Sequence, residues 1–286
     1  MKNTNQWSAY GLKWNPFSPD VPIEGLWVAP RVESFCKRVE SQAHDGGFAL
    51  VTGDPGLGKS VTMRVLLARL EGLRDVVVCT LTRPRSKIGD FYRQMGELFG
   101  VPLVMHNRWG GFRGLREKWL AHIDSTLMRP VLLVDEAQEM YPDVLSELRL
   151  LGSTQFDSRA ILTVVLAGDS RLPDMFRSKE LLPLGSRMRV RITHEYATRE
   201  DLLSCFAHRL KEAGNPNLMT KELMETLCDH AAGNYRVLFQ MAEQLLDEAV
   251  QREIRRLDEK LFLEVFAAPV VRKPPPPTAR GNRRRS

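Results

Sequence analysis

One segment of eight residues constrains this chain more than any other feature of its sequence. It fits the pattern G-x-x-x-x-G-K-[ST] and lies between an apolar run and an amphipathic stretch with helical periodicity. In this pattern the glycines allow backbone N–H groups to surround phosphate groups at the positive end of a helix. The predicted phosphate-binding loop consists of Gly53, Asp54, Pro55, Gly56, Leu57, Gly58, Lys59 and Ser60, with Val61 following in the helix.

Lys59 and Ser60 have the most specific predicted roles within this loop. In such a loop the lysine ammonium contacts the β and γ phosphates of ATP, and the hydroxyl at the next position binds Mg²⁺. The apolar run before the loop and the helical stretch after it are the context that this geometry requires. The sequence therefore predicts a protein that binds ATP with Mg²⁺ as its cofactor.

A second motif joins an apolar run to two carboxylates. Residues 131–134 are Val-Leu-Leu-Val, and Asp135 and Glu136 follow directly. A buried strand that ends in this way places one carboxylate to bind Mg²⁺ through water and the other to polarise the attacking water. The pattern predicts these roles for Asp135 and Glu136, and hence an ATPase that produces ADP and phosphate. The alternative is that the two acids only mark the start of a helix.

Apolar runs alternate with amphipathic helical stretches up to residue 195. This alternation is typical of a parallel sheet with helices on both faces. The predicted strands are residues 48–52, 75–81, 131–134, 161–167 and 190–192. From residue 198 only helical periodicity remains, which predicts a small all-helical domain. The predicted units are an arm at 1–30, a nucleotide-binding α/β domain at 31–195, a helical lid at 196–267 and a disordered Pro/Arg-rich tail at 268–286.

The basic residues of the chain are unevenly distributed. The net charge is +6, but the stretch beyond residue 271 contains six basic residues and no acidic ones, so the rest of the chain is neutral. Within that neutral part, residues 83–118 contain eight basic residues against three acidic ones. Such a surface would bind DNA phosphates without reading bases, although a solvated charged face is the alternative. The residues predicted to contact duplex DNA are Arg83, Arg85, Lys87, Arg108 and Arg113.

Two aromatic residues inside this basic segment leave two interpretations open. Trp109 and Phe112 would support stacking on DNA or distortion of the duplex. Alternatively, Phe112 would join Leu115 and Trp119 in the buried stripe of a helix that begins near Gly111. The sequence does not choose between a nucleic-acid contact and a core position for Phe112.

Apolar run lengths and cysteine spacing bear on the compartment. No apolar run reaches the length of a signal peptide core or of a membrane span. The four cysteines form no C-x-x-C pair, which favours buried thiols over a zinc cluster or a disulfide framework. We therefore expect a cytoplasmic protein without a membrane partner.

Several motifs in a fixed order resemble those of one group of ATPases. They are the arm YGLKWNPFSPD, the phosphate-binding loop, the strand ends Asp-Glu-Ala-Gln and Leu-Ala-Gly-Asp, the stretch LLPLGSRMRVRITHEYATRED and the tetrapeptide Gly-Asn-Tyr-Arg. Together they look like the AAA+ ATPases grouped with ExeA, which include transposition regulators of the TnsC, TniB and MuB kind. The resemblance covers residues 8–250. It implies an AAA+ P-loop fold with a five-stranded parallel sheet flanked by helices and a small helical lid.

The resemblance also implies roles for five residues outside the two nucleotide motifs. Asp169 falls at the sensor 1 position, where such proteins often have Gln or Asn, and Arg236 falls at the sensor 2 position of the lid. Arg187 occupies the position of an arginine finger, which neutralises the γ phosphate bound by a neighbouring subunit. Asn15 and Phe17 belong to the part of the arm that walls the adenine.

The function that the resemblance implies is regulation of DNA transposition. An ATPase with a finger supplied in trans works as a homo-oligomer, and such regulators form rings or helical filaments on duplex DNA that recruit a transposase. One alternative is a secretion-associated ATPase of the ExeA kind, whose members continue into a membrane segment and a peptidoglycan-binding domain that this sequence does not show. The other alternative is a helicase loader or initiator ATPase of replication.

Overall fold

The computed structural model of the chain describes residues 7–102, 108–155 and 158–266. The predicted tail at 268–286 lies outside the described residues, as do the first six residues of the predicted arm. Within the described ranges, no helix combines the length and the apolar character needed to cross a lipid bilayer.

A five-stranded parallel sheet forms the centre of the molecule, as the alternation of apolar runs predicts. In chain order, the strands of the described residues are β1 (Gly47–Gly53), β2 (Val76–Leu81), β3 (Arg129–Val134), β4 (Ser153–Thr154), β5 (Arg159–Ala160), β6 (Thr163–Gly168) and β7 (Met188–His194). The large sheet has the order β2-β3-β6-β1-β7, and β4 and β5 form a separate antiparallel pair. Because β1, β3 and β6 are adjacent, the residues that follow them meet at one edge of the sheet.

Both faces of the three central strands, β1, β3 and β6, are buried, which explains why these strands are apolar at most positions, whereas the edge strand β7 alternates buried and exposed residues. On β1, Phe48 and Leu50 point to one side, whereas Ala49 and Val51 point to the other. The α-helices that the described residues form in this part of the chain are α1 (Pro30–Asp45), α2 (Lys59–Glu71), α3 (Ile88–Phe99), α4 (Arg108–Thr126), α5 (Pro142–Leu151), α6 (Arg171–Met175) and α7 (Leu182–Gly185). Helices α1 and α2 cover the face of Ala49, and the buried residues of the other five pack on the face of Phe48.

Four further helices form a second apolar cluster. They are α8 (Arg199–Ala213), α9 (Lys221–Ala231), α10 (Tyr235–Gln251) and α11 (Glu259–Phe266), and we call them the lid helices. Three of them begin at a side-chain cap, because Thr198, Thr220 and Asn234 each accept a hydrogen bond from a backbone N–H in the first turn. Residues of the arm, including Phe17, belong to the same cluster, so the arm packs against the lid helices.

Candidate nucleotide-binding site

A cavity of about 440 Å³ lies between the predicted phosphate-binding loop, the arm and the lid helices. Its volume is in the range of small-molecule and cofactor sites. Eleven of the residues predicted to serve the nucleotide line it: Phe17, Pro55, Gly56, Leu57, Gly58, Lys59, Ser60, Val61, Glu136, Asp169 and Arg236. The fold therefore brings most of the predicted site residues together from five separate segments of the chain.

The loop has the backbone that a phosphate cradle requires. Gly56 and Gly58 have φ values of +86° and +102°, which other residues rarely adopt. A Cβ atom on Gly56 would lie 2.2 Å from the side-chain oxygen of Asn234, so a glycine is also needed for the lid to contact the loop. Helix α2 begins directly at Lys59 and has no acidic residue in its first turn. The first N–H groups of α2 therefore form an anion-binding site, and no acidic side chain in that turn offsets its positive potential.

The Lys59 side chain is held inside the loop. Only 8% of the residue is exposed, and Nζ donates hydrogen bonds to the carbonyls of Gly53 at 2.7 Å and Asp54 at 3.1 Å. Gly53 and Asp54 thus act through their carbonyls and do not line the cavity themselves. A buried ammonium bonded only to neutral carbonyls is the kind of group that an anionic phosphate would bind, so the residues present fit a triphosphate.

The two carboxylates of the second motif lie where β3 ends. Glu136 lines the cavity, and its backbone is left-handed with φ of +52°. Asp135 is not part of the cavity lining, and its Oδ1 accepts the Glu136 N–H at 2.9 Å. The two consecutive carboxylates therefore face different surroundings.

Asp169 follows β6 and lines the same cavity. Arg171, whose Nη2 lies 2.7 Å from Oδ2 of Asp169, lowers the pKa of that carboxyl, and Lys59 acts in the same direction while burial opposes them. Arg171 also pairs with Glu139 at 3.0 Å. The acid at the predicted sensor 1 position is therefore paired with an arginine. Sequence reasoning missed Arg171, although its place two residues after Asp169 was a usable signal.

His194, at the end of β7, is a further cavity residue that the sequence did not indicate. It is 4% exposed, and its Nε2 lies 2.9 Å from Oγ1 of Thr62 in α2. Burial, followed by the nearby charges of Arg31 and Lys59, lowers its pKa to about 4. At neutral pH the ring is uncharged, so it supports the phosphate-binding loop without adding a charge to it.

The first turn of lid helix α10 docks on the phosphate-binding loop. Asn234 donates from Nδ2 to the Pro55 carbonyl at 3.1 Å, while its Oδ1 caps α10. The backbone N–H of Arg236 approaches the Gly56 carbonyl at 3.3 Å, and this residue lines the cavity. The predicted sensor 2 residue is thus brought to the loop by its own main chain.

Aromatic residues of the arm and of the lid helices, including Phe17 and Phe239, also line the cavity. Phe17 is 2% exposed, and its ring centroid lies 5.3 Å from that of Phe206 and 6.5 Å from that of Phe239. Asn15 does not line the cavity. Its Oδ1 accepts the Phe17 N–H at 2.9 Å and its Nδ2 donates to Glu243 at 2.9 Å, so it orients the arm behind Phe17.

Arg187 lies outside this cavity, directly before β7. It is half-buried, and its guanidinium donates to the Pro183 carbonyl. The residue predicted to act in a neighbouring subunit therefore does not contribute to the cavity of its own chain.

The residues predicted to contact DNA differ in whether their side chains form ion pairs with the described part of the chain. Arg108 is tied to the buried carboxylate of Glu147, and Arg113 pairs with Glu117 at 2.6 Å. Arg83, Arg85 and Lys87 are exposed, and their side chains form no ion pair with the part of the chain that the structure describes. Leu115 and Trp119 are buried, Phe112 is partly buried on the same core, and Trp109 is 75% exposed.

Comparison with known proteins agrees with this geometry. The structure superposes on Cdc6p from Pyrobaculum aerophilum with a TM-score of 0.66 over 87% of this chain and 69% of that one, at 16% identity. Residues 42–176 match the family model described as an AAA domain. The chain has the AAA+ P-loop fold. The AAA+ fold of the Aeropyrum pernix ORC1 protein, solved in complex with DNA, is similar with a TM-score of 0.64, 18% identity and coverage of 91% and 68%.

One curated relative of this chain is general secretion pathway protein A of Aeromonas hydrophila. The two are 28% identical over 248 residues, which is 85% of this chain. The chain spans 44% of the length of that relative. The likeness therefore leaves more than half of the relative unmatched.

Proposed function

We propose that this chain is a Mg²⁺-dependent ATPase whose ATP-bound form assembles on duplex DNA and regulates transposition. The observation that carries the ATPase part is the cavity that joins Lys59, Ser60, Glu136 and Arg236. Loop N–H groups and Lys59 bind the phosphates, and Ser60 and Asp135 hold the metal. When bound, Mg²⁺ neutralises charge that develops on the phosphates and fixes their geometry.

Glu136 acts on water in this proposal. Its carboxylate lines the cavity that also contains the loop, so a water between the two can be oriented and partly deprotonated for attack. Arg187 completes the site of a neighbouring subunit, which would make hydrolysis depend on assembly. Arg236 and Asn234 connect the lid to the loop, so the position of the lid follows the occupant of the loop.

DNA binding is proposed for the exposed cluster of Arg83, Arg85 and Lys87. These three side chains carry charge that no described carboxylate offsets, unlike Arg108 and Arg113. The ORC1 structure solved with DNA supports this choice among AAA+ activities. Binding through phosphates alone would be tolerant of sequence and would weaken as salt rises.

The experiment combines DNA binding with a hydrolysis-defective variant. We expect wild-type protein to bind duplex DNA with ATP but not without it, and Glu136→Gln to bind ATP, hydrolyse it about 100-fold or more slowly and remain on DNA longer. Fluorescence anisotropy with labelled duplexes and a phosphate-release assay measure both properties. DNA binding that ignores ATP, or unchanged turnover in Glu136→Gln, would contradict the proposal.

A triple variant locates the DNA surface. Replacing Arg83, Arg85 and Lys87 by alanine should weaken DNA binding and reduce the slope of log K against log salt by up to about 3. Arg177→Ala and Arg252→Ala are matched controls, because each removes a surface arginine held in an ion pair elsewhere. An equal loss in the controls would mean that overall charge, and not this cluster, binds DNA.

A secretion-associated role is the second candidate, and the relative from Aeromonas hydrophila favours it. In that role ATP hydrolysis would serve an envelope partner, and duplex DNA would not change turnover. A replication-type loader or initiator remains the third candidate, favoured by the likeness to Cdc6p. Capture with the Glu136→Gln variant separates the three, since the retained partner would be a transposase, an envelope protein or a replicative helicase.

A further inference from the structure

Gln138 joins the ends of two neighbouring strands beside the candidate site. It lies in a short turn, Ala137–Glu139, after β3 and is 8% exposed. Its Nε2 donates to a carboxylate oxygen of Glu136, and its Oε1 accepts the backbone N–H of Asp169 at 3.2 Å. The side chain therefore spans from the proposed water-activating group to the residue after β6.

Only one orientation of this amide satisfies both neighbours. A backbone N–H can only donate, and an ionised carboxylate can only accept. The oxygen of the amide must therefore face Asp169, and its nitrogen must face Glu136. A glutamine amide can donate to Glu136 and accept from Asp169 at the same time without adding a charge.

The last residue of β6 provides the space for this amide. A Cβ atom on Gly168 would lie 2.5 Å from Oε1 of Gln138 and 2.8 Å from Leu172. The backbone of Gly168 is not in the left-handed region, so its glycine is explained by this close approach and not by conformation. The lack of a side chain at Gly168 therefore leaves room for the Gln138 amide.

The backbone and the carboxylate of Glu136 are fixed separately. The left-handed turn at Glu136 is held by the Glu139 N–H, which donates to the Glu136 carbonyl at 2.9 Å. That bond does not restrain the side chain, which has rotatable bonds beyond Cβ. Among the described residues, the donor to this carboxylate is the side-chain amide of Gln138.

We propose that Gln138 is a positioning residue that orients the Glu136 carboxylate and links it to Asp169. The inference rests on the proposed ATPase function and adds the device that aims its water-activating group. Because Asp169 and Glu136 share this amide, a shift of the β6 end would move the carboxylate directly. A movement of Asp169 would then change the orientation of the Glu136 carboxylate, and with it the position of the water that Glu136 activates.

Two substitutions and one control test the proposal. Gln138→Glu keeps an acceptor for the Asp169 N–H but places a second carboxylate against Glu136, while Gln138→Ala removes both contacts. Each should lower kcat about 10- to 100-fold, with ATP affinity changed by less than about threefold. Gln244→Glu, on an exposed part of α10, is the matched control and should leave kcat unchanged.

Hydrogen exchange in the nucleotide-free protein supplies a readout that does not depend on turnover. The Asp169 amide should exchange faster in Gln138→Ala and keep its protection in Gln138→Glu, because only the former loses the acceptor.

Unchanged or raised kcat in both variants, while Glu136→Gln is inactive, would overturn the role of Gln138 alone. Loss of ATP affinity together with kcat would show a merely structural role and would also overturn it. If Glu136→Gln kept full turnover, the proposed ATPase mechanism itself would fail.

Discussion

At the scale of single residues, the charge of the cavity depends on how each ionisable side chain is paired. Lys59 is buried and bonded to carbonyls, Asp169 is balanced by Arg171, and His194 is uncharged at neutral pH. The loop therefore presents positive charge from Lys59 and from the helix start, and neither Asp169 nor His194 adds an unpaired charge beside it, while the Glu136 carboxylate lines the same cavity. A triphosphate is the ligand that this distribution of charge favours.

His194 gives the stability of the protein a specific pH dependence. Its pKa is about 4 in the folded chain and about 6.5 when unfolded, so the unfolded state binds a proton first as pH falls. Stability should therefore fall as pH is lowered from about 6.5 towards 4, by about 2 kcal/mol between pH 7 and pH 5. Urea unfolding of wild type and His194→Gln at both values measures this. A wild type that loses no more stability than the variant would refute the assignment.

At the scale of secondary-structure elements, the start of α10 has two tasks. Asn234 caps the helix through Oδ1 and holds the phosphate-binding loop through Nδ2. Thr220 directly precedes helix α9 and caps it by accepting the Leu223 N–H, and among the described residues Thr220 forms no hydrogen bond with the phosphate-binding loop. A comparison of the two caps therefore distinguishes the effect of helix capping from the effect of contact with the phosphate-binding loop.

Alanine substitution of the two caps should give different results. Asn234→Ala and Thr220→Ala should each cost about 1 kcal/mol of unfolding free energy, because each removes a capping acceptor. Asn234→Ala alone should also weaken ATP binding, roughly 3- to 10-fold, since it frees Pro55 from the lid. Urea unfolding and calorimetric titration measure the two effects. Equal ATP affinity in the two variants would show that docking of α10 on the loop does not serve the nucleotide.

The sequence predicted elements better than contacts between them. All five strands of the large sheet were predicted. The start of β6 differs, because the predicted strand begins at Ile161 and the observed strand begins at Thr163. Hydrophobic periodicity reports burial, and it carries no information about partners. Gln138 and Asp169 are 31 positions apart, and Thr62 and His194 are 132 apart, so only the fold reveals these pairs. The loop was predictable because its residues are contiguous.

At the scale of the whole molecule, the arm connects the apolar cluster of the lid helices with the one on the Ala49 face of the sheet. Arg209 of α8, which is 6% exposed, donates to the Pro16 carbonyl at 3.1 Å, and Arg64 of α2 donates to the Pro19 carbonyl at 2.9 Å. Phe17 packs with the lid helices, whereas Val21 packs under the sheet. The segment between them lines the cavity, so the nucleotide site is built from all three parts of the described chain.

The central claim is that a triphosphate binds the loop around Lys59, and the ATP affinity of Lys59→Ala tests it most directly. Calorimetric titration of folded variant and wild type with ATP and Mg²⁺ should show a loss of about 2–3 kcal/mol, roughly two orders of magnitude in Kd. Lys87→Ala, which removes an exposed lysine outside the cavity, should bind ATP as wild type does. A folded Lys59→Ala protein with wild-type ATP affinity would contradict the account.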